Sequence, residues 1–427
     1  MNPTSPTVRS DSSTRDVSVL GRLGISIYLP SACMALGQMV LLVVLPLFIV
    51  SRGGGPSLAA LVFAMRGLGS VLANVPVGFA IARWGQKSLM LVGSGVMGCS
   101  ALLIMATDST WLIAFATLMF GAGMGTWLLA RLAYITETVP SSQRGTALSG
   151  LAGLQRLGML LGPVIAGLGI ASVGYHVVFA AVSVSAWVTV LLIWLFVPNP
   201  ERDDEARPSQ GMPPVAEAGW VDEIRAVSGL LARHRKVFLS AGSFIFCLQM
   251  LREQRRLLVV LWGTHLGLEA DVIGVIVSAS SLVDMGMFPV AGYVMDRWGR
   301  KVAGLACIFG LGGAMGLLPL TTTALSYLLV ATLAGVGNGL GSGIILTMGS
   351  DLAPREASSQ FLGVWRLLGD MGALSGPLLV SVVASLVVAL GLSAVMGVAG
   401  GLVLWCCVDE TLKRSPDPPG AADGVSP

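Results

Sequence analysis

The sequence predicts an all-α polytopic membrane protein, with twelve transmembrane helices arranged as two six-helix bundles. Three observations predict it. Of 427 residues, 54% are hydrophobic and only 11% are charged, and the mean hydropathy is +0.80. A soluble domain carries about 25% charged residues and covers its surface with them. Twelve apolar runs occur, each near the ~20 residues a helix needs to cross a bilayer. The chain also repeats itself at an offset of 214 residues.

The elements follow in order. Residues 1–22 are polar and Ser/Thr-rich and lack the shape of a cleavable signal, so a disordered tail is expected there. A first bundle is expected over 23–197, with spans at 24–50, 57–82, 88–107, 111–136, 145–172 and 174–197. Residues 198–236 are rich in Pro, Glu and Arg and read as a linker that splits the spans six and six. A second bundle is expected over 237–410, with spans at 237–263, 272–295, 302–320, 324–350, 359–385 and 390–408. A short tail closes the chain over 411–427. The runs are continuous rather than alternating, which excludes a transmembrane barrel.

Net charge is +3, too small to suggest nucleic-acid binding. The six cysteines lie in apolar stretches without metal spacing and read as small hydrophobes; the three histidines are scattered. No metal or cofactor is expected. No GxxxxGK[ST] is present, so ATP drive is not expected, and neither is enzymatic chemistry. The expected partners are a small molecule, protons and the lipid bilayer, for a monomer.

Basic residues orient the spans. With the N-terminus inside, 18 of the 26 Lys and Arg fall in the tails and inner loops, and Arg52 alone falls outside. Both termini are therefore expected in the cytoplasm of a cell whose plasma or inner membrane holds the chain.

The repeat is detailed. Gly78-Phe-Ala-Ile-Ala-Arg83-Trp-Gly85-Gln-Lys87 falls on Gly292-Tyr-Val-Met-Asp296-Arg297-Trp-Gly299-Arg300-Lys301. Glu137 falls on Asp351, and Gly158, Gly162 and Pro163 fall on Gly372, Gly376 and Pro377. Each half is thus one bundle, related to the other about an axis along the membrane normal, as in alternating-access carriers.

These residues resemble the major facilitator superfamily, in its twelve-helix drug/proton antiporter-like branch. The loop from Gly292 to Lys301 matches the family's signature between the second and third helices of a half. In the first-half copy Ala82 and Gln86 replace the expected Asp and Arg. Arg131, Glu137, Pro140 and Arg144 look like the family's fourth-helix exit. Gly158-Met-Leu-Leu-Gly162-Pro163-Val-Ile-Ala166-Gly167 resembles the fifth-helix motif of proton-driven exporters, with Ala166 in place of one glycine. The resemblance implies rocker-switch transport, with helix 2 facing helix 11, helix 5 facing helix 8, and helices 3, 6, 9 and 12 outside. The physical reading of the loops is that Asp296, Arg297, Arg300 and Lys301 pair with helix ends or acids such as Glu137 and Asp351 in one state and release them in another. The plainer alternatives are that the basic loops only set topology and that the glycines only allow close packing.

Ten charges lie inside spans: Arg66, Arg131, Arg156, Arg252, Arg255, Arg256 and Arg366, with Glu253, Asp284 and Asp370. Each costs about 2.5–3.5 kcal/mol at a helix centre and is a site candidate by default. They fall on helices 2, 4, 5, 7, 8 and 11 only. At 1.5 Å per residue, Arg66, Arg156, Asp284 and Asp370 lie about 14–18 Å from their helix ends, near the midplane. The expected interdomain pairs are Arg66–Asp370 and Arg156–Asp284, with protonation of an Asp loosening its pair; a fixed ion pair is the alternative, and Arg366–Asp370 at i, i+4 is a rival. Arg252, Arg255 and Arg256 share a face and are expected to form a patch for a carboxylate or phosphate, while Glu253 beside them is counted with the proton-coupling and interdomain residues. The other reading puts that cluster at the outer membrane surface. Arg366, Gln38 and Asn338 join the expected binding set, with Tyr28 and Asn74 as further polar candidates.

The function these residues predict is a proton-coupled exporter of a small anionic organic solute. A broad multidrug antiporter and a non-transporting sensor or assembly protein on the same fold are the alternatives.

Overall fold

A computed structural model describes residues 24–140, 143–198, 228–354 and 357–412. The expected tail over 1–22, residues 199–227 of the 198–236 linker and the chain from 413 onward lie outside the described residues.

Among the described residues, twelve helices of membrane-spanning length run in sequence. They are α1 (Gly24–Ser51), α2 (56–84), α3 (86–106), α4 (Thr110–Thr138), α5 (144–173), α6 (175–196), α7 (235–265), α8 (Ala270–Arg297), α9 (Arg300–Leu320), α10 (Ala324–Leu352), α11 (Ser358–Val382) and α12 (Leu386–Cys407). Helices α2 and α3 join without a loop at Gly85, where φ is 74°, and α5 joins α6 in the same way at Gly174, with φ 80°. Glycine alone takes positive φ cheaply, so these residues turn the chain within one position. Gly299, the repeat equivalent of Gly85, does the same with φ 104° between α8 and α9. Helix α12 begins at Leu386 and α11 ends at Val382, four and three residues earlier than their apolar runs suggest.

Apolar side chains such as Trp111, Leu191, Leu325 and Trp405 point outward and are exposed. A surface of that kind is stable against lipid, not water. Inside, one core runs through the first half and on into the second half's Leu257–Trp262, Ile273, Tyr327 and Leu390. A second core holds Phe238, Phe244, Leu248, Phe361, Trp365 and Leu404.

The division shows where the halves meet. They join at the end away from the chain termini. There α5 packs on α8, and α2 packs on α11. Ser57 donates to the Val383 carbonyl at 2.9 Å, and the Val164 amide donates to Ser278 at 3.1 Å. A Cβ at Gly167 would overlap the Ala270 carbonyl, and one at Gly274 the Pro163 carbonyl, so the α5–α8 contact is backbone against backbone. Toward the terminal end the halves separate around a cavity.

Candidate functional site

The cavity is built by residues that the helical period turns inward. Its volume is about 530 Å³. Its walls include Gln38 on α1, Arg66 and Asn74 on α2, Arg131 on α4 and Gln155 on α5; the second half adds Gln249, Glu253 and Arg256 on α7 and Arg366 and Asp370 on α11. A neighbouring cavity of about 440 Å³ is lined by Arg156, Arg252, Arg255, Asp284 and Asn338, and shares Gln249, Glu253 and Arg256 with the first. All ten charges of the spans therefore line these two cavities, seven positive and three negative. Charge placed in lipid is costly, and these cavities are where the chain can hydrate it.

Glu253 stands at the boundary. Its Oε2 accepts from Arg66 Nη2 at 3.0 Å, across the interface between the halves, and its Oε1 accepts from Arg256 Nη1. Arg66 also packs on Phe63 and reaches Met124 Sδ at 3.8 Å.

Two expected pairings are corrected by this geometry. Arg66 does not pair with Asp370. Asp370 lies one turn beyond Arg366 on α11 and takes that guanidinium at 3.8 Å, the rival pairing, while Glu253 projects across to Arg66. Arg156 does not pair with Asp284. Asp284 is satisfied within its own half, by Arg255 Nη2 at 3.0 Å and Asn338 Nδ2 at 2.6 Å. Arg156 instead stacks on Phe288, 3.7 Å from the ring centroid.

The three arginines of α7 also diverge rather than forming one patch. Arg252 donates to the Gly341 carbonyl at 2.9 Å, Arg255 turns to Asp284 and Ser280, and Arg256 turns to Glu253. The carbonyl Arg252 uses lies where α10 breaks around Gly343, with φ 84°, and it also accepts from the Ile344 amide at 3.2 Å. The cluster lines the cavities, not an outer membrane surface. Arg131 lines the first cavity while stacked on Trp127 at 4.2 Å and donating to Ser31 at 3.1 Å. Tyr28 donates to the Ala147 carbonyl at 3.4 Å, as a helix-helix contact.

The loop motifs lie at the terminal end. Arg300 bonds Asp351 at 3.1 Å and the Met295 carbonyl at 2.8 Å, with Asp296 at 3.6 Å. In the degenerate first-half copy Gln86 donates to Glu137 at 2.6 Å, at the equivalent repeat positions. An amide thus keeps the contact that a guanidinium makes in the other half. Lys87 reaches the Trp194 carbonyl at 3.2 Å, Arg297 lies over Tyr293, and Arg83 is exposed.

Sequence reasoning missed Glu410. Its carboxylate accepts from the Arg300 and Lys301 amides at 2.8 and 3.0 Å, holding the end of α12 to the start of α9. The signal was an acid just past a span, near a helix start whose amides lack partners. Gln249 and Gln155 were also missed, because neutral polar residues in a span give weak signals.

In the glycine motif of α5, Gly158 lies against Ala35 and Gly162 against Met39, both on α1, while Gly167 lies against α8.

The comparisons with known proteins agree with this architecture. The family model of the Major Facilitator Superfamily matches residues 27–262 and 256–427. A multi-drug resistance efflux pump PmrA homolog of Lactococcus lactis is 24% identical over 353 residues, covering 80% of this chain and 82% of that protein. A gentisate transporter of Corynebacterium glutamicum is 31% identical over 111 residues, covering 26% of this chain and 25% of that one. Among solved structures, the nucleoside transporter NupG superposes with a TM-score of 0.73 at 11% identity, covering 91% of this chain and 100% of that chain. A POT family transporter in complex with a thioalcohol-conjugated peptide superposes with a TM-score of 0.70 at 13% identity, covering 91% and 95%. With twelve helices of membrane-spanning length among the described residues, a repeat-related pair of halves and a family match along nearly the whole sequence, the chain belongs to the Major Facilitator Superfamily of membrane transporters.

Proposed function

We propose that the chain is a secondary carrier that exports a small organic anion by proton-coupled rocker-switch alternating access. The observation that carries this reading is the charge of the cavity walls. Seven arginines against three acids favour a negative cargo, and guanidinium forks suit carboxylates. The terminal end is read as cytoplasmic from its basic residues, so this conformation faces inward with its far end sealed. Asp370 is the proposed proton carrier. Its partner Arg366 is 3.8 Å away, and its side chain is 32% exposed on the cavity wall, so a proton can reach it. The α5 glycine motif and the efflux pump relative support export, and the gentisate transporter supports a carboxylate cargo. The proposal takes the carrier as a monomer.

Purified protein in liposomes with an imposed pH gradient tests this. A gradient is expected to drive gentisate or a related carboxylate across wild-type vesicles, and Asp370→Asn is expected to abolish the dependence on the gradient. Transport of ethidium but of no organic anion would sink the anionic reading and favour broad multidrug efflux, the second reading. That second reading rests on the efflux pump relative, which matches most of the chain.

A further inference from the structure

We infer that Glu253 is a tethered stand-in for the cargo: its carboxylate and the anionic group of the cargo occupy the same two-arginine clamp in turn. This rests on the anionic-cargo reading above.

The geometry of the clamp points there. One carboxylate lies between two guanidinia, with Oε2 on Arg66 Nη2 at 3.0 Å and Oε1 on Arg256 Nη1. That is the arrangement in which an Arg pair recognises any carboxylate, free or tethered. The clamp is not sealed in a dry core, because Arg66, Glu253 and Arg256 all line the first cavity. An incoming anion can therefore reach both guanidinia. The displaced Glu253 side chain has a hydrated place to go, since Glu253 lines the second cavity as well.

The other two acids are poorer candidates for this role. Asp284 is held by Arg255 and Asn338 inside one half. Asp370 meets one guanidinium, on its own helix, at 3.8 Å. Glu253 alone among the three bridges the halves. Arg66 belongs to the first half and Arg256 to the second, so whichever carboxylate fills the clamp also ties the halves together. A built-in carboxylate lowers the clamp's charge from +2 to +1 when no cargo is present. It also makes the carrier select against weak anions, because a cargo must outcompete a group held at high effective concentration.

The test uses the purified full-length chain at one fixed pH, with gentisate as probe and its uncharged amide as control. Binding is read by calorimetry. Glu253→Gln removes the competitor and keeps the side-chain volume. Gentisate is expected to bind this variant about tenfold or more tightly than wild type, as loss of a tethered competitor requires. Arg66→Ala in the Glu253→Gln background is expected to abolish that gain.

A second measurement needs no assumption about cargo. Acetate is expected to raise the melting temperature of Glu253→Ala saturably by refilling the clamp, and to leave wild type unchanged. Unchanged or weaker gentisate binding by Glu253→Gln, or equal acetate stabilisation of wild type and Glu253→Ala, overturns the stand-in role and leaves anionic cargo intact. Binding of ethidium, with neither gentisate nor acetate bound by any of these proteins, overturns the anionic reading and the stand-in role together.

Discussion

At the scale of single residues, the ion pairs of the cavities differ in how replaceable they are. Arg255 and Asp284 have side chains only 8% and 9% exposed and are bonded to each other at 3.0 Å. Removing one partner of a buried pair leaves the other desolvated and unpaired, at a cost of about 3 kcal/mol. Arg255→Gln is therefore expected to lower the melting temperature of the detergent-solubilised protein by several degrees. Removing both charges is a different case, since no orphan remains. The double variant Arg255→Gln, Asp284→Asn is expected to recover most of the loss. If the double variant melts lower than Arg255→Gln, the pair contributes more than mutual neutralisation.

The same residues show how much of the site was legible in sequence. That ten charges would collect on one route followed from the cost of charge in lipid, which applies to each residue independently. Which acid meets which base did not follow. Asp284 and Asp370 are both taken by arginines of their own half, and the choice depends on side-chain reach across 3–4 Å. Helical period and depth place a residue to within about one turn, or ~5 Å, which is coarser than an ion pair.

At the scale of elements, α5 shows one motif dividing between two tasks. A Cβ on Gly158 would lie 2.9 Å from the Ala35 carbonyl of α1, a contact inside the first half. Gly167 faces Ala270 of α8, a contact between halves. Gly158→Val is thus expected to lower the melting temperature while leaving the far-end seal closed. Gly167→Val is expected to wedge α5 from α8 and open the far end. Labelling of a Ser57→Cys variant with a membrane-impermeant maleimide separates them, rising severalfold with Gly167→Val alone. Equal labelling in both backgrounds would mean that the Gly167 contact does not seal the far end. The helices themselves were the easiest feature to read, because each apolar run is long. The joints were legible as well: the expected break over 83–87, marked by Arg83, Gln86 and Lys87, contains Gly85, and the break expected at 173 lies one residue from Gly174, although no polar residue marks it.

At the scale of the whole molecule, the closed end is held by few polar contacts, and that makes its opening testable. The halves meet there through Ser57 and Val383 at 2.9 Å, Val164 and Ser278 at 3.1 Å, and the glycine contact of α5 with α8. Deeper in, Arg66 and Glu253 make the charged bridge. A rocker switch must break all of these when the far end opens, while contacts within each half persist. Cysteines at 57 and 383, in a background lacking the six native cysteines, are placed to cross-link α2 to α11. Oxidation is expected to form the bridge, stop transport in liposomes, and leave cargo binding from the terminal end intact, with reductant restoring turnover. Preserved transport in the fully cross-linked protein would exclude separation of α2 from α11 as part of the cycle. The opposite outcome at the terminal end provides the control. Thr189 and Pro30 lie within one half, so a cross-link between those positions constrains no rocking and is expected to leave transport unchanged. The contrast between the two cross-links tests whether the halves move as the bodies that the repeat defines.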